Sequence, residues 1–112
     1  MTDWNAYRAN MQKNVKALAQ LSPNTLKGLQ TLETPLPESR HLDAKTRELI
    51  ALAVAVTTRC DGCIAVHSAA ARKEGASREE IAEALGVAVA LNAGAALVYS
   101  SRVIEAFDST EG

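Results

Sequence analysis

At 112 residues and a formal net charge of −1, the chain has room for one domain, or for a protomer that completes its core by association. Hydrophobic residues make up 47% of it, yet only Trp4, Tyr7, Tyr99 and Phe107 are aromatic. The apolar content is therefore mostly Ala, Leu and Val, which favours closely packed helices over a sandwich or barrel. A pI of about 6.1 and no basic cluster longer than Arg72-Lys73 argue against a nucleic-acid partner.

Residues from about 3 to 20 carry Trp4, Tyr7, Met11, Val15, Leu18 and Leu21 at intervals of three or four, which predicts an amphipathic helix. Ser22-Pro23 reads as N-cap and first residue of a second, short helix ending near Glu33. The loop Thr34-Pro35-Leu36-Pro37-Glu38-Ser39 then divides an N-terminal helical arm, residues 1–37, from a core at 38–112. Asp43 caps a third helix, from about Ala44 to Thr57, whose apolar face is Leu49, Leu52, Ala53 and Val56. A fourth helix runs from about Asp61 to Glu74 and stops at Gly75, a natural residue for the turn after a helix. Ser77 and Glu80 form a capping box for a fifth helix to about Leu91, and Asn92 and Gly94 suggest a break before a last helix carrying Leu97, Val98, Val103, Ile104 and Phe107. The fold class is all-α, with five to six helices.

The uncharged run Ala84 to Ser101 is 18 residues long, the low end of what a membrane span needs. Half of it is Ala, Gly or Ser, so a closely packed helix pair is the better reading and no membrane partner is expected. Apolar nearly all round, this run exceeds what one small core covers, which predicts a homo-oligomer. After Met1 no basic flank leads into an apolar stretch, so a secretory signal is not read and a cytoplasmic location is expected. Two cysteines in such a reducing compartment are more often redox-active or metal-binding than a structural staple.

Cys60, Cys63 and His67 stand at i, i+3 and i+7, so on a helix they share one face. At a helix start, unpaired N–H groups and the positive end of the dipole favour a thiolate, and the spacing allows an intramolecular disulfide. His67, one turn past Cys63, is placed to exchange a proton with it. If the third and fourth helices form an antiparallel hairpin turning near Thr58, Glu48 faces the region of His67 and orients the imidazole as a proton relay. His67 favours Cys63 as the attacking sulfur, whereas the dipole favours Cys60. His41, before the Asp43 cap, reads as a loop residue. Haem attachment would need His directly after the second Cys, where Ile64 stands. Zinc competes as an alternative, with two thiolates, His67 and Glu48 as four ligands, but paired-Cys zinc sites usually draw a second ligand pair from a distant segment. No cofactor or metal is expected.

Glu48, eleven residues, Cys60-x-x-Cys63, three residues and His67 together resemble the AhpD-like alkylhydroperoxidases of the carboxymuconolactone decarboxylase superfamily. The segments Asp43-Ala44-Lys45-Thr46-Arg47-Glu48-Leu49-Ile50 and Gly75-Ala76-Ser77-Arg78-Glu79-Glu80-Ile81 resemble that family's helix starts, and the likeness covers roughly residues 38–107. The resemblance implies an all-helical AhpD-like fold assembled as trimers or hexamers. It also implies thiol-dependent peroxidase activity on hydroperoxides, with an external dithiol or redox protein as electron donor. It places the catalytic pair at Cys60 and Cys63, the relay histidine at His67 and the relay acid at Glu48. The sequence departs from some members at Gly62, where they carry a second His. Alternatives are a disulfide reductase, a redox-sensing oligomer, a zinc-binding module, and a lactone decarboxylase, whose superfamily members generally lack the Cys pair.

Overall fold

The computed structural model describes residues 1–110, so the expected core boundary at 112 lies outside the described residues. Five α-helices and one short 3₁₀ turn, Pro37–Ser39, follow in order: α1 (Trp4–Leu21), α2 (Pro23–Glu33), α3 (Ala44–Thr58), α4 (Asp61–Lys73) and α5 (Arg78–Asp108). The protein is all-α. α3 lies at the centre and packs against both α4 and α5, while α1 rests on α4 and α2.

Helix starts and stops follow the local chemistry. The Asp43 carboxylate accepts the Thr46 N–H at 2.7 Å and opens α3. Ser77 and Glu80 satisfy each other's backbone N–H at 3.0 and 2.9 Å, closing the capping box of α5. Gly75, at φ 84°, lets Ala76 N–H reach the Ala71 carbonyl and Gly75 N–H reach that of Arg72, the paired bonds that end α4. Glu80 also meets Lys45 Nζ at 2.7 Å, tying the first turn of α5 to the first turn of α3.

Those contacts make acid the solvent condition to which the helix starts respond. The Lys45 ammonium and then the Ser77 N–H hold the Glu80 carboxyl below its ordinary 4.5, and the Thr46 N–H holds Asp43 below its ordinary 3.8. A carboxyl whose folded value is depressed contributes stability above the unfolded value and loses it as pH falls through the folded one. Thermal melts should therefore be flat in this contribution above pH 4.5 and decline below it, and Glu80→Gln should reduce the slope of that decline.

Two expectations about helices are corrected. No break occurs at Asn92 and Gly94, where α5 runs unbroken through 31 residues. The Asn92 side-chain N–H donates to the Ala88 carbonyl one turn back, at 2.7 Å, a bond that a continuous helix supplies. A single glycine costs only about 1 kcal/mol within a helix, too little to stop it. On α3 the buried residues are Leu52 and Ala55, while Val56, expected on the apolar face, is 38% exposed. The hairpin with α4 and the crossing with α5 draw on the Leu52/Ala55 side of the helix.

The buried core is small, comprising Leu52, Ala55, Ala65, Ala71 and Ala88. The radius of gyration is 18.7 Å, against about 13 Å for a compact chain of this length. The accessible surface is 9069 Å², where a compact monomer of 11.9 kDa would expose about 5,900 Å². The C-terminal half of α5 leaves Leu97, Val98, Val103, Ile104 and Phe107 each at least 64% exposed. α5 is long and apolar enough, by length and composition, to cross a bilayer. Its first half is nonetheless committed to protein, with Ala88 buried and Glu80 paired to α3.

Candidate active site

α3 ends at Arg59, a non-glycine residue in the left-handed region at φ 54°, whose N–H returns to the Ala55 carbonyl. Cys60 N–H reaches the same carbonyl at 3.1 Å. This tight reversal lays α4 back along α3. Cys60 becomes the N-cap of α4, and its sulfur accepts the Cys63 N–H at 3.1 Å, satisfying one of the donors that a helix start leaves unpaired. Cys60 and Cys63 are joined as a disulfide, with their Cα atoms 5.2 Å apart. Both sulfurs stand at the positive end of the α4 dipole, which favours the thiolates that reduction releases.

The hairpin also sets the imidazole against the acid. His67 Nδ1 lies 2.6 Å from Glu48 Oε2, with the two side chains 29% and 22% exposed. An ionised Glu48 accepts from Nδ1–H, which fixes the tautomer and leaves the Nε2 lone pair available. Cys63 and His67, four residues apart on α4, share a face and line one cleft of about 530 Å³ together with Glu48. Ala51, Val54 and Ala55 give that cleft an apolar wall. Its volume falls within the range of small-molecule sites.

Of the four residues singled out from the sequence, the structure brings Cys63, His67 and Glu48 to the cleft. Cys60 is bonded to Cys63 but is not among the lining side chains. His41 lies exposed in the loop before α3. Arg47, which the sequence reading passed over, also lines the cleft, its guanidinium donating to the Glu33 carbonyl at 3.0 Å and latching α2 to α3. Its only sequence signal is its place beside Glu48. At Gly62 a Cβ would lie 3.7 to 3.8 Å from the Met11 side chain of α1, in ordinary van der Waals contact. Among the described residues, no three His, Cys, Asp or Glu side chains cluster as metal ligands.

Known proteins resemble the chain over nearly its whole length. An uncharacterized protein of Haemophilus influenzae is 51% identical over 106 residues, spanning 95% of this chain and 94% of its own length. An uncharacterized protein of Cupriavidus necator is 30% identical over 108 residues, 96% of each chain. Among solved structures, apo-lpg0406 of Legionella pneumophila, described as a carboxymuconolactone decarboxylase family protein, superposes with a TM-score of 0.72 at 34% identity over 95% of both chains. The model of the carboxymuconolactone decarboxylase family matches residues 23–106. With three-quarters of its length matched by that model, the chain belongs to the carboxymuconolactone decarboxylase family.

Proposed function

We propose that the protein is a cytoplasmic, thiol-dependent peroxidase that reduces hydroperoxides through Cys60 and Cys63, with Glu48 and His67 as its proton relay. The observation that carries this reading is a single cleft holding a helix-start sulfur, Cys63, beside an imidazole oriented by a carboxylate at 2.6 Å. In the reduced protein His67 Nε2 takes the Cys63 thiol proton, and the thiolate attacks the distal peroxide oxygen. The O–O bond breaks, the sulfur becomes a sulfenic acid, and the leaving alkoxide or hydroxide takes the proton from His67. The Cys60 thiol then condenses with the sulfenic acid, forming the disulfide and releasing water. An external dithiol or redox protein reduces the disulfide, so each turnover converts a hydroperoxide and a dithiol into an alcohol, water and a disulfide.

The experiment is peroxide consumption by reduced protein with a dithiol donor, compared with protein whose thiols have been alkylated. The expected result is many turnovers by the first and none by the second. A reduced protein that exchanges disulfides with the donor yet consumes no hydrogen peroxide or alkyl hydroperoxide would be a disulfide reductase or redox sensor instead.

A homo-oligomer, a trimer or hexamer, goes with this reading. The surface in excess of a compact monomer and the bare apolar half of α5 support it, since permanent interfaces bury surfaces of a few thousand Å². Sedimentation should give a multiple of 11.9 kDa. Leu97→Asp with Ile104→Asp, at positions 76% and 64% exposed in the single chain, should shift the protein to monomers and lower its melting temperature.

A further inference from the structure

A second concavity, of about 560 Å³, opens between α1 and α4, and its chemistry differs from that of the thiol cleft. Two guanidinium groups line it, Arg8 from α1 and Arg72 from α4, and no carboxylate does. The acids nearest in sequence lie outside that lining. Asp3 caps α1 by accepting the Ala6 N–H at 3.0 Å, Asp61 opens α4, and Glu74, two residues past Arg72, is the exposed C-cap of that helix. Arg8 is held in place, with Nη2 donating to Asn5 Oδ1 at 2.8 Å and Nη1 to the Ala65 carbonyl at 3.4 Å. Neither arginine has a carboxylate within 4 Å among the described residues. The floor is apolar, made by Ile64, Ala65 and Ala69, and one wall is the Trp4 indole.

We propose that this concavity is a binding site for a small carboxylate with an apolar, aromatic body. A guanidinium presents parallel N–H donors whose spacing matches the two oxygens of a carboxylate, and two unpaired guanidinium groups facing one cavity supply that recognition without a competing acid. The indole offers a ring face for stacking, and the Ile64/Ala65/Ala69 floor covers the remaining apolar surface of the ligand. The volume fits a ligand of this kind. Because the lining comes from two helices, the bound molecule bridges α1 and α4. It therefore stabilises the docking of the N-terminal helix by binding the folded state alone. The site lies on a different face of α4 from Cys63 and His67 and does not depend on the peroxidase reading.

Trp4 is the only tryptophan in the chain and stands in the wall of the site, so its fluorescence reports occupancy. The test titrates the full-length protein with benzoate, with its neutral analogue benzamide and with inorganic phosphate, following Trp4 emission and, in parallel, the heat of binding. A saturable response to benzoate is expected, at least about tenfold weaker for benzamide, since a charge-assisted pair is lost. Arg72→Gln, at an exposed position whose side chain makes no hydrogen bond among the described residues, should weaken benzoate by a similar factor and leave the helical content unchanged. Arg8→Lys should retain part of the affinity, because it keeps the charge and gives up the fork. The proposal is overturned if benzoate gives neither a saturable emission change nor heat. It is also overturned if benzamide binds equally well, if phosphate matches benzoate, or if Arg72→Gln leaves the affinity unchanged.

Discussion

Glu48→Gln should lower the rate at which the reduced protein consumes peroxide by about 10² to 10³, while the fold survives. The carboxylate contacts His67 Nδ1 at 2.6 Å and has no other side-chain partner among the described residues, so its removal acts on the imidazole first. Glutamine is isosteric, and Glu48 is not fully buried, so the substitution neither opens a cavity nor strands a charge. It nevertheless withdraws the negative charge that stabilises the imidazolium. It also allows the amide to turn its own N–H toward Nδ1, which shifts the imidazole proton to Nε2, the nitrogen needed as base. A merely structural role would show as a changed melting temperature with an unchanged rate of thiol loss. The measurement is single-turnover oxidation of the reduced thiols by peroxide without donor, alongside a thermal melt. A rate within threefold of the parent would remove Glu48 from the mechanism.

The proximity of Glu48 and His67 was legible in the sequence because a tight hairpin makes it a matter of counting. Once the chain reverses near Thr58, residues equidistant from the turn are neighbours, and the left-handed Arg59 and extended Cys60 make that reversal in two residues. Helix starts were equally legible, because Asp43, Ser77 and Glu80 act on backbone groups only three residues away. What depended on distant partners was not. Arg47 enters the cleft through a carbonyl fourteen residues earlier, and nothing in the local pattern marks Glu33 as its acceptor. Val56 failed as a core residue because the periodic face spans more than the side that α4 and α5 cover. The Asn92 and Gly94 break failed for the opposite reason. Both are weak helix formers, but Asn92 found its own acceptor along the helix and Gly94 has open space around it.

The two cysteine variants should separate into different failures rather than one. Cys63 lines the cleft with His67, whereas Cys60 caps α4 with its sulfur on the Cys63 N–H. With Cys63→Ser no sulfur faces the relay, so peroxide consumption should fall to the rate of an ordinary exposed thiol. With Cys60→Ser the first step remains and only the resolving thiol is missing. That variant should consume a single equivalent of peroxide, accumulate a sulfenic acid on Cys63, and then stop turning over with any dithiol that cannot itself reach the modified sulfur. The serine hydroxyl can take over the cap at Cys60, so loss of the helix start does not confound the comparison. A sulfenic-acid-specific probe followed by peptide mass spectrometry reads both outcomes directly. Labelling of Cys60 in Cys63→Ser at the parental rate would reverse the order of the two sulfurs. It would assign the attack to the residue favoured by the helix dipole over the one favoured by the imidazole. The proposed order favours Cys63, because a thiolate is useful only where the peroxide and the proton donor for its leaving oxygen meet, and Cys63 lines the cleft with His67 and Glu48.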